Sequence, residues 1–318
     1  NYDDAIIKLY GGKVYGLVSL YLVGAKIPIT YCLPYLRDIT TEDLSELDKN
    51  ITYSVRSSAD TEDGMEFSFA GMFDSYLDVD FNDIINKVHL VKESIHSSRV
   101  KEYIKNNKLA NPNMGVIIQQ YIDPDYALVY FSKNKKEGLL EFVQGSGEKL
   151  VSGKSNTTSL SIFSDSEDKI HKELFRINTK LDGDGDYELA IKDDILYFLQ
   201  YRKVTKPIDN LNIKSELKGV SPGIIEADIC FIEDPDEINE FKDGSILLTY
   251  YTDPEWMSII SKSKGLITLV GSFLCHSAII AREYNIPCVT SLNEELFNKL
   301  KEGPRVILNG TKGEIKIL

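Results

Sequence analysis

The stretch Gly271-Ser-Phe-Leu-Cys-His-Ser-Ala-Ile-Ile-Ala-Arg-Glu-Tyr284 sets His276 immediately ahead of a run of good helix formers that Asn285 and Pro287 bring to a stop. Apolar runs flank it at Gly265 to Val270 and Cys288 to Thr290, so the local pattern is strand, helix, strand. An imidazole at a helix start lies among free backbone N–H groups and the positive end of the helix dipole, which favour an anion by roughly 1 kcal/mol. The same field disfavours a proton on the ring and keeps a nitrogen lone pair available near neutral pH. Such a lone pair is what attack on phosphorus needs. The alternative reading is a histidine that merely caps or packs at a helix start. The other three histidines, His89, His96 and His171, lie in lysine- and glutamate-rich stretches typical of solvated helices.

Working outward, Ile224 to Ile232, Ser245 to Tyr250 and Arg305 to Asn309 add further strands, and helices are expected near Trp256 to Ser263 and Asn293 to Lys301. This alternation predicts a small α/β domain over residues 220–318. The preceding segment, Lys203 to Gly219, loses periodicity and carries Pro207, Asp209, Asn210 and Asn212, which reads as an interdomain linker centred on 206–219. Residues 1–205 mix strands and helices: strands at Ile51 to Arg56 and Ser75 to Val79, a long helix from Phe81 to Asn107, and a break at Asn111-Pro112-Asn113. Beyond it, Gly115 to Ile118, Ala127 to Phe131, Leu139 to Val143, Leu160 to Phe163 and Ile195 to Leu199 predict an antiparallel sheet with a helix near Glu167 to Leu181. Two subdomains, about 1–110 and 111–205, are expected.

Three segments of this first half carry phosphate chemistry. Gly11-Gly12-Lys13 precedes a helical stretch from Val14 to Val23; glycines admit close backbone approach and the lysine adds a point charge, although a plain turn explains them as well. Tyr53-Ser-Val-Arg-Ser-Ser-Ala59 ends a strand in Arg56, whose planar fork suits phosphate oxygens; an ion pair with Asp60 or Glu62 is the competing reading. Asp186-Tyr-Glu-Leu-Ala-Ile191 and Leu196-Tyr-Phe-Leu-Gln-Tyr-Arg202 form a hairpin turning at Asp193-Asp194, and alternation brings Glu188, Gln200 and Arg202 to one face. A carboxylate and an amide oxygen suit magnesium beside nucleotide phosphates, with the arginine neutralising what remains. Asp182, Asp184 and Asp186 fail as a calcium loop, because Tyr187 stands where the turn glycine is needed, and are read as a turn.

Composition bounds the rest. With 318 residues, 42% hydrophobic and 27% charged, the chain can bury one large or two smaller cores. A formal net charge of -13 argues against a general nucleic-acid or anionic-membrane binder. No apolar run reaches the roughly 18 residues of a membrane span, and no leader pattern opens the chain, so a cytoplasmic protein is expected. Cys32, Cys230, Cys275 and Cys288 lack paired spacing and read as free thiols.

The segments SPGIIEADICFIEDPDE (221–237), LLTYYTDPEW (247–256), the histidine stretch (265–289) and LNGTKGEIKIL (308–318) resemble, in order, the swivelling phosphohistidine domain of the phosphoenolpyruvate synthase and pyruvate phosphate dikinase family. GGKVYGL (11–17), IPIT (27–30), YSVRSSADTED (53–63), SFAGMFDSYLDV (68–79), GVIIQQYID (115–123), EFVQGSGEKLVSGK (141–154) and DYELAIKDDILYFLQYR (186–202) resemble the ATP-grasp domain of the same family. The resemblance implies an α/β and α+β chain, an ATP-grasp domain followed by the small α/β phosphohistidine domain. It makes His276 the phosphorylated residue, Arg282 a helper of its helix, Lys13, Arg56 and Arg202 the polyphosphate contacts, and Glu188 and Gln200 the Mg2+ ligands. Gln119 falls near the adenine strand, and Gly71 and Ser75 fall in the phosphate-covering loop.

Departures from the family pattern are Ser272 in place of the second glycine before the histidine, Ala127-Leu128 in place of Ser-Gly, and shortened stretches between IPIT and YSVRSSA (31–52) and between LVSGK and DYELAI (155–185), which abbreviate the ATP-grasp domain. No segment resembles the large acceptor domain. The resemblance thus implies a dikinase-type phosphotransferase using ATP and Mg2+, forming phosphohistidine with AMP and phosphate as products. The acceptor would be a small molecule or a separate protein; family members phosphorylate pyruvate, water, glucans, glutamine or a rifamycin. A non-catalytic nucleotide-sensing or phosphocarrier module, and a fragment of a larger dikinase, are the alternatives; an ATP-grasp ligase, which would not need His276, ranks last.

Overall fold

A computed structural model describes residues 2–62, 69, 71–133, 136–146, 158–181, 184–204, 217–273 and 275–318. The residues form two compact units, one from 1–139 with 162–206 and the other from 140–161 with 207–318. Most of the expected linker, 205–216, lies outside the described residues.

In the first unit, helices α1 (Tyr2–Tyr10) and α2 (Gly12–Leu22) meet at Gly11, whose φ of 92° is open to glycine at little cost. A Cβ there would also stand 2.0 Å from the Ser58 carbonyl oxygen, so the helix start abuts the strand end directly. Strands β1 (Thr30–Leu33), β2 (Tyr53–Ala59), β3 (Ser75–Val79) and β4 (Met114–Gln120) form an antiparallel sheet in the order β1-β4-β2-β3. Helices α3 (Ile84–Glu93) and α4 (Ser98–Asn107) follow β3. The single long helix expected over this region is broken: a 3-10 turn spans Ser94–His96, and Ser97, extended at ψ 155°, caps α4 by accepting from the Val100 N–H. Serine competes for backbone donors and so favours caps over helix interiors.

A five-stranded sheet in the order β7-β6-β5-β8-β9 comprises β5 (Tyr126–Lys133), β6 (Glu137–Gln144), β7 (Thr158–Phe163), β8 (Gly185–Lys192) and β9 (Ile195–Lys203). Beneath it lie α5 (Lys169–Lys180) and a stack of buried rings, Tyr130, Phe175, Tyr187, Phe198 and Tyr201. The Tyr187 hydroxyl is satisfied by donating to the buried Asn178 amide oxygen at 2.7 Å. The hairpin turns at Asp193 and Asp194, both at positive φ, as a two-residue turn matched to strand twist requires. A bulge at Leu199 then shifts the register, so that Leu189 faces Phe198 but Glu188 faces Gln200.

The second unit holds a seven-stranded sheet in the order β10-β14-β13-β12-β11-β15-β16. Its strands are β10 (Lys218–Ser221), β11 (Ile224–Phe231), β12 (Ile246–Thr249), β13 (Gly265–Thr268), β14 (Cys288–Thr290), β15 (Arg305–Asn309) and β16 (Glu314–Ile317). Strands β11 to β14 run parallel, while β10, β15 and β16 pair antiparallel at the edges. Helices α6 (Met257–Ile260), α7 (His276–Glu283) and α8 (Glu294–Lys301) fill the connections. One face of the sheet is dry, with Ile246, Leu248, Ile267, Val289, Val306 and Leu308 in its core. The four cysteines are free thiols. Among the described residues, no helix is long and apolar enough to cross a membrane.

Helix α2 lies against β9 at Gly16, where a Cβ would stand 2.0 Å from the Tyr201 carbonyl oxygen. Gly16→Ala is expected to push α2 off the sheet and to cost about 2 kcal/mol or more in urea denaturation, the usual scale of overpacking, despite alanine's better helix propensity.

Candidate phosphohistidine and nucleotide sites

In the second unit His276 is the first residue of α7, reached by a loop that leaves the carboxyl end of β13. That position follows from the parallel sheet: loops at the carboxyl ends of its strands are where such folds bind ligands. The side chain is 8% exposed. Its Nδ1 lies 3.1 Å from the Thr252 hydroxyl, while Nε2 is buried and has no hydrogen-bond partner among the described residues. Placing the proton on Nδ1 gives it an acceptor and leaves the lone pair on Nε2. Burial pushes the imidazole pKa down to about 4, so the ring is neutral at physiological pH.

The loop is held from several sides. Thr252 is placed by the turn Asp253-Pro254-Glu255-Trp256, in which Asp253 accepts from the Glu255 N–H at 3.0 Å and Trp256 is buried. The Ser291 hydroxyl donates to the Gly271 carbonyl at 2.8 Å. The Arg282 guanidinium donates to the carbonyls of Val220 and Phe273, each at 2.9 Å, tying α7 to β10 and to its own entry loop. Ser272, where the family pattern has glycine, is buried. Also in this unit, the fully buried Glu141 accepts from Ser159 Oγ at 2.8 Å and from the Phe273 N–H at 3.4 Å, with Lys218 Nζ at 3.6 Å. No pattern in the sequence singled out Glu141 or Lys218.

In the first unit the cross-strand register collects the other candidates. Glu188 on β8 faces Gln200 on β9, and Asp186 faces Arg202, so the four share one face of the sheet. Asp186 is therefore a strand residue and not part of a turn; its carboxylate accepts from Arg202 at 2.7 Å. Its position two residues before Glu188 was a signal for this, obscured by the run of aspartates. Arg56 on β2 faces Ser75 on β3 and Ile117 on β4. It pairs with neither Asp60 nor Glu62: its guanidinium donates to Glu188 Oε2 at 2.5 Å. Asp60 instead binds Asn113, at 2.9 Å from the backbone and 2.7 Å from the side chain. Glu62 accepts from Lys13 Nζ at 2.5 Å and from the Ala59 N–H at 2.8 Å.

Desolvation works to raise the Glu188 pKa, but the adjacent Arg56, with Lys13 and Arg202 beyond, holds it below the usual carboxylate range. The carboxylate is ionised and ringed by cations. Gln119 is buried on β4, its amide donating to Thr30 Oγ1 at 3.0 Å. Gly71, at φ 68°, and Ser75 are exposed at the edge of β3; 63–68 and 70 lie outside the described residues.

Mg2+ suits this face. Glu188 offers an anionic oxygen, and the neighbouring Gln200 Oε1 is buried without a partner among the described residues. Two hard oxygens, one of them anionic, are the kind of donor Mg2+ prefers.

Two family descriptions match the chain: "Pyruvate phosphate dikinase, AMP/ATP-binding domain" over residues 35–181 and "PEP-utilising enzyme, mobile domain" over residues 241–313. The first contains Arg56, Gly71, Ser75 and Gln119, and the second His276; Lys13, Glu188, Gln200 and Arg202 fall outside both. Together the two matched domains make the chain phosphoenolpyruvate synthase- and pyruvate phosphate dikinase-like. It is 27% identical over 320 residues to a probable phosphoenolpyruvate synthase of Methanothermobacter thermautotrophicus, covering 83% of this chain and 47% of that protein. It is 26% identical to the phosphoenolpyruvate synthase of Pyrococcus furiosus, covering 83% and 41%. With a rifampicin phosphotransferase of Bacillus cereus the identity is 32%, over 61% of this chain and 23% of that one. The chain thus spans less than half the length of the synthases it matches.

The depressed imidazole pKa has a consequence for stability. Between pH 6.5 and 4 the unfolded chain takes up a proton at His276 that the folded chain refuses, so stability is present in full above 6.5 and is lost as pH falls toward 4. The wild type is expected to lose up to about 3 kcal/mol more than His276→Gln across this window in urea denaturation. NMR titration should find the ring still neutral at pH 5.

Proposed function

We propose that the chain is the nucleotide-binding and phosphohistidine part of an ATP-dependent, dikinase-type phosphotransferase. The observation that carries this reading is the imidazole of His276: buried, neutral, oriented through Nδ1 by Thr252, and with its Nε2 lone pair committed to nothing else. A structural histidine with both nitrogens satisfied would fit the same helix start equally well; this one leaves its nucleophilic nitrogen unused.

In the proposed reaction Nε2 attacks the β-phosphorus of ATP, forming a P–N bond as the bond from that phosphorus to the α,β-bridging oxygen breaks. AMP leaves, and the β- and γ-phosphoryl groups remain on the ring. Transfer of the γ-phosphoryl group to water releases phosphate and leaves a single phosphoryl group on His276. That group then passes to an acceptor, a small molecule or a separate protein. Nε2 lies beneath the surface in this conformation, so attack requires the residues that cover it to move aside.

Lys13, Arg56 and Arg202 would neutralise the triphosphate, and Gln119 would face the adenine. Glu188 and Gln200 would hold Mg2+, which would supply positive charge against the phosphates. Phosphoryl transfer of this kind depends on positioning and charge neutralisation more than on covalent help from the protein. The helix start at α7 contributes backbone donors to the phosphorylated ring.

With ATP labelled at the β-phosphate, acid-labile label is expected on the wild type and none on His276→Ala, with AMP as the nucleotide product. ADP alone as product, or label surviving in His276→Ala, overturns the reading. Arg202→Gln is expected to slow AMP formation by about 10²–10³-fold, the usual scale for losing one preorganised charge-stabilising group.

A further inference from the structure

Each cation proposed to hold the triphosphate is paired with a carboxylate, but the pairs differ in kind. Lys13 and Glu62 meet where the start of α2 abuts the end of β2, and Arg202 and Asp186 are cross-strand neighbours in one hairpin. Arg56 and Glu188 belong to two different sheets, and their pair, 2.5 Å long, spans the gap between β2 and β8. The same carboxylate stands opposite Gln200, whose buried Oε1 has no partner among the described residues. Glu188 is therefore claimed from two sides: by the guanidinium, and by the metal its position beside Gln200 suits.

We propose that Glu188 is a metal-released lock on Arg56, so that Mg2+ and the nucleotide bind cooperatively because the metal frees the arginine for phosphate. The inference rests on the nucleotide site assigned above. The guanidinium nitrogen that Glu188 holds is turned toward the carboxylate and away from phosphate oxygens, and the charge of the carboxylate itself opposes the triphosphate. Mg2+ on Glu188 and Gln200 removes both obstacles together. Any coupling of this kind is reciprocal: nucleotide that captures Arg56 leaves Glu188 open and raises Mg2+ affinity by the same factor.

The test is binding of ATP to the full chain in excess chelator, measured by calorimetry for wild type, Glu188→Gln, Arg56→Gln and the double variant, with MgATP as control. Removing the carboxylate should tighten metal-free ATP at least about 10-fold when Arg56 is present, within the ordinary range of coupling between sites. In the Arg56→Gln background the gain should fall below about 3-fold, which is what loss of bare repulsion leaves. Equal gains in the two backgrounds, or no gain, overturn the lock while leaving nucleotide binding intact. Failure of the wild type to bind MgATP overturns the lock together with the site it rests on. Should Glu188→Gln fold poorly, as judged by thermal melting, Glu188→Asp shortens the reach to Arg56 by one methylene and gives the same comparison.

Discussion

The register of β8 against β9 is the constraint on which the proposed nucleotide site depends. Asp193 and Asp194 close the hairpin at positive φ, and from that turn alone Glu188 would stand opposite Leu199. The bulge at Leu199 adds the one residue that turns Gln200 and Arg202 to the Glu188 face. Without it the two would stand opposite Tyr187 and Gly185, whose side is the aromatic core. A single unpaired residue thus separates a charged, metal-suited surface from a buried polar clash. Large rings on the other face, Tyr187, Phe198 and Tyr201, hold the register because any slip would expose them.

Electrostatics and burial divide the chemistry between the units. In the first, three cations surround the Glu188 carboxylate and overcome the desolvation that would otherwise neutralise it. In the second, no such charge acts on His276 among the described residues, and burial keeps the ring unprotonated. Both groups stand in the form their proposed roles require, one as an anion for a metal and the other as a neutral nucleophile. Environment leaves one titratable side chain charged and the other neutral.

Much of this was legible in sequence, for physical reasons that can be named. The helix after His276 stands out because good formers are bounded by Asn285 and Pro287, and the parallel strands of the second unit are short continuous apolar runs between turn residues. Periodicity failed between Phe81 and Asn107, where both halves are helical and a short 3-10 turn with the Ser97 cap divides them. It failed also for α1 and for β1, β10 and β16, the strands being only four residues long and defined by their partners. Asp186 was read both as the first residue of the hairpin strand and as the last of an acidic turn, and its register opposite Arg202 decides for the strand.

The sequence by itself determined the residue types, the family resemblance and the local elements that carry His276, Arg56 and the Glu188 hairpin, since these depend on near neighbours along the chain. Tertiary structure alone decided which charges meet. The pairs Arg56 with Glu188 and Lys13 with Glu62, and the engagement of Nδ1 by Thr252, join residues 132, 49 and 24 positions apart. No local propensity encodes such contacts; they exist because folding closes those distances and removes the water that would otherwise satisfy each group.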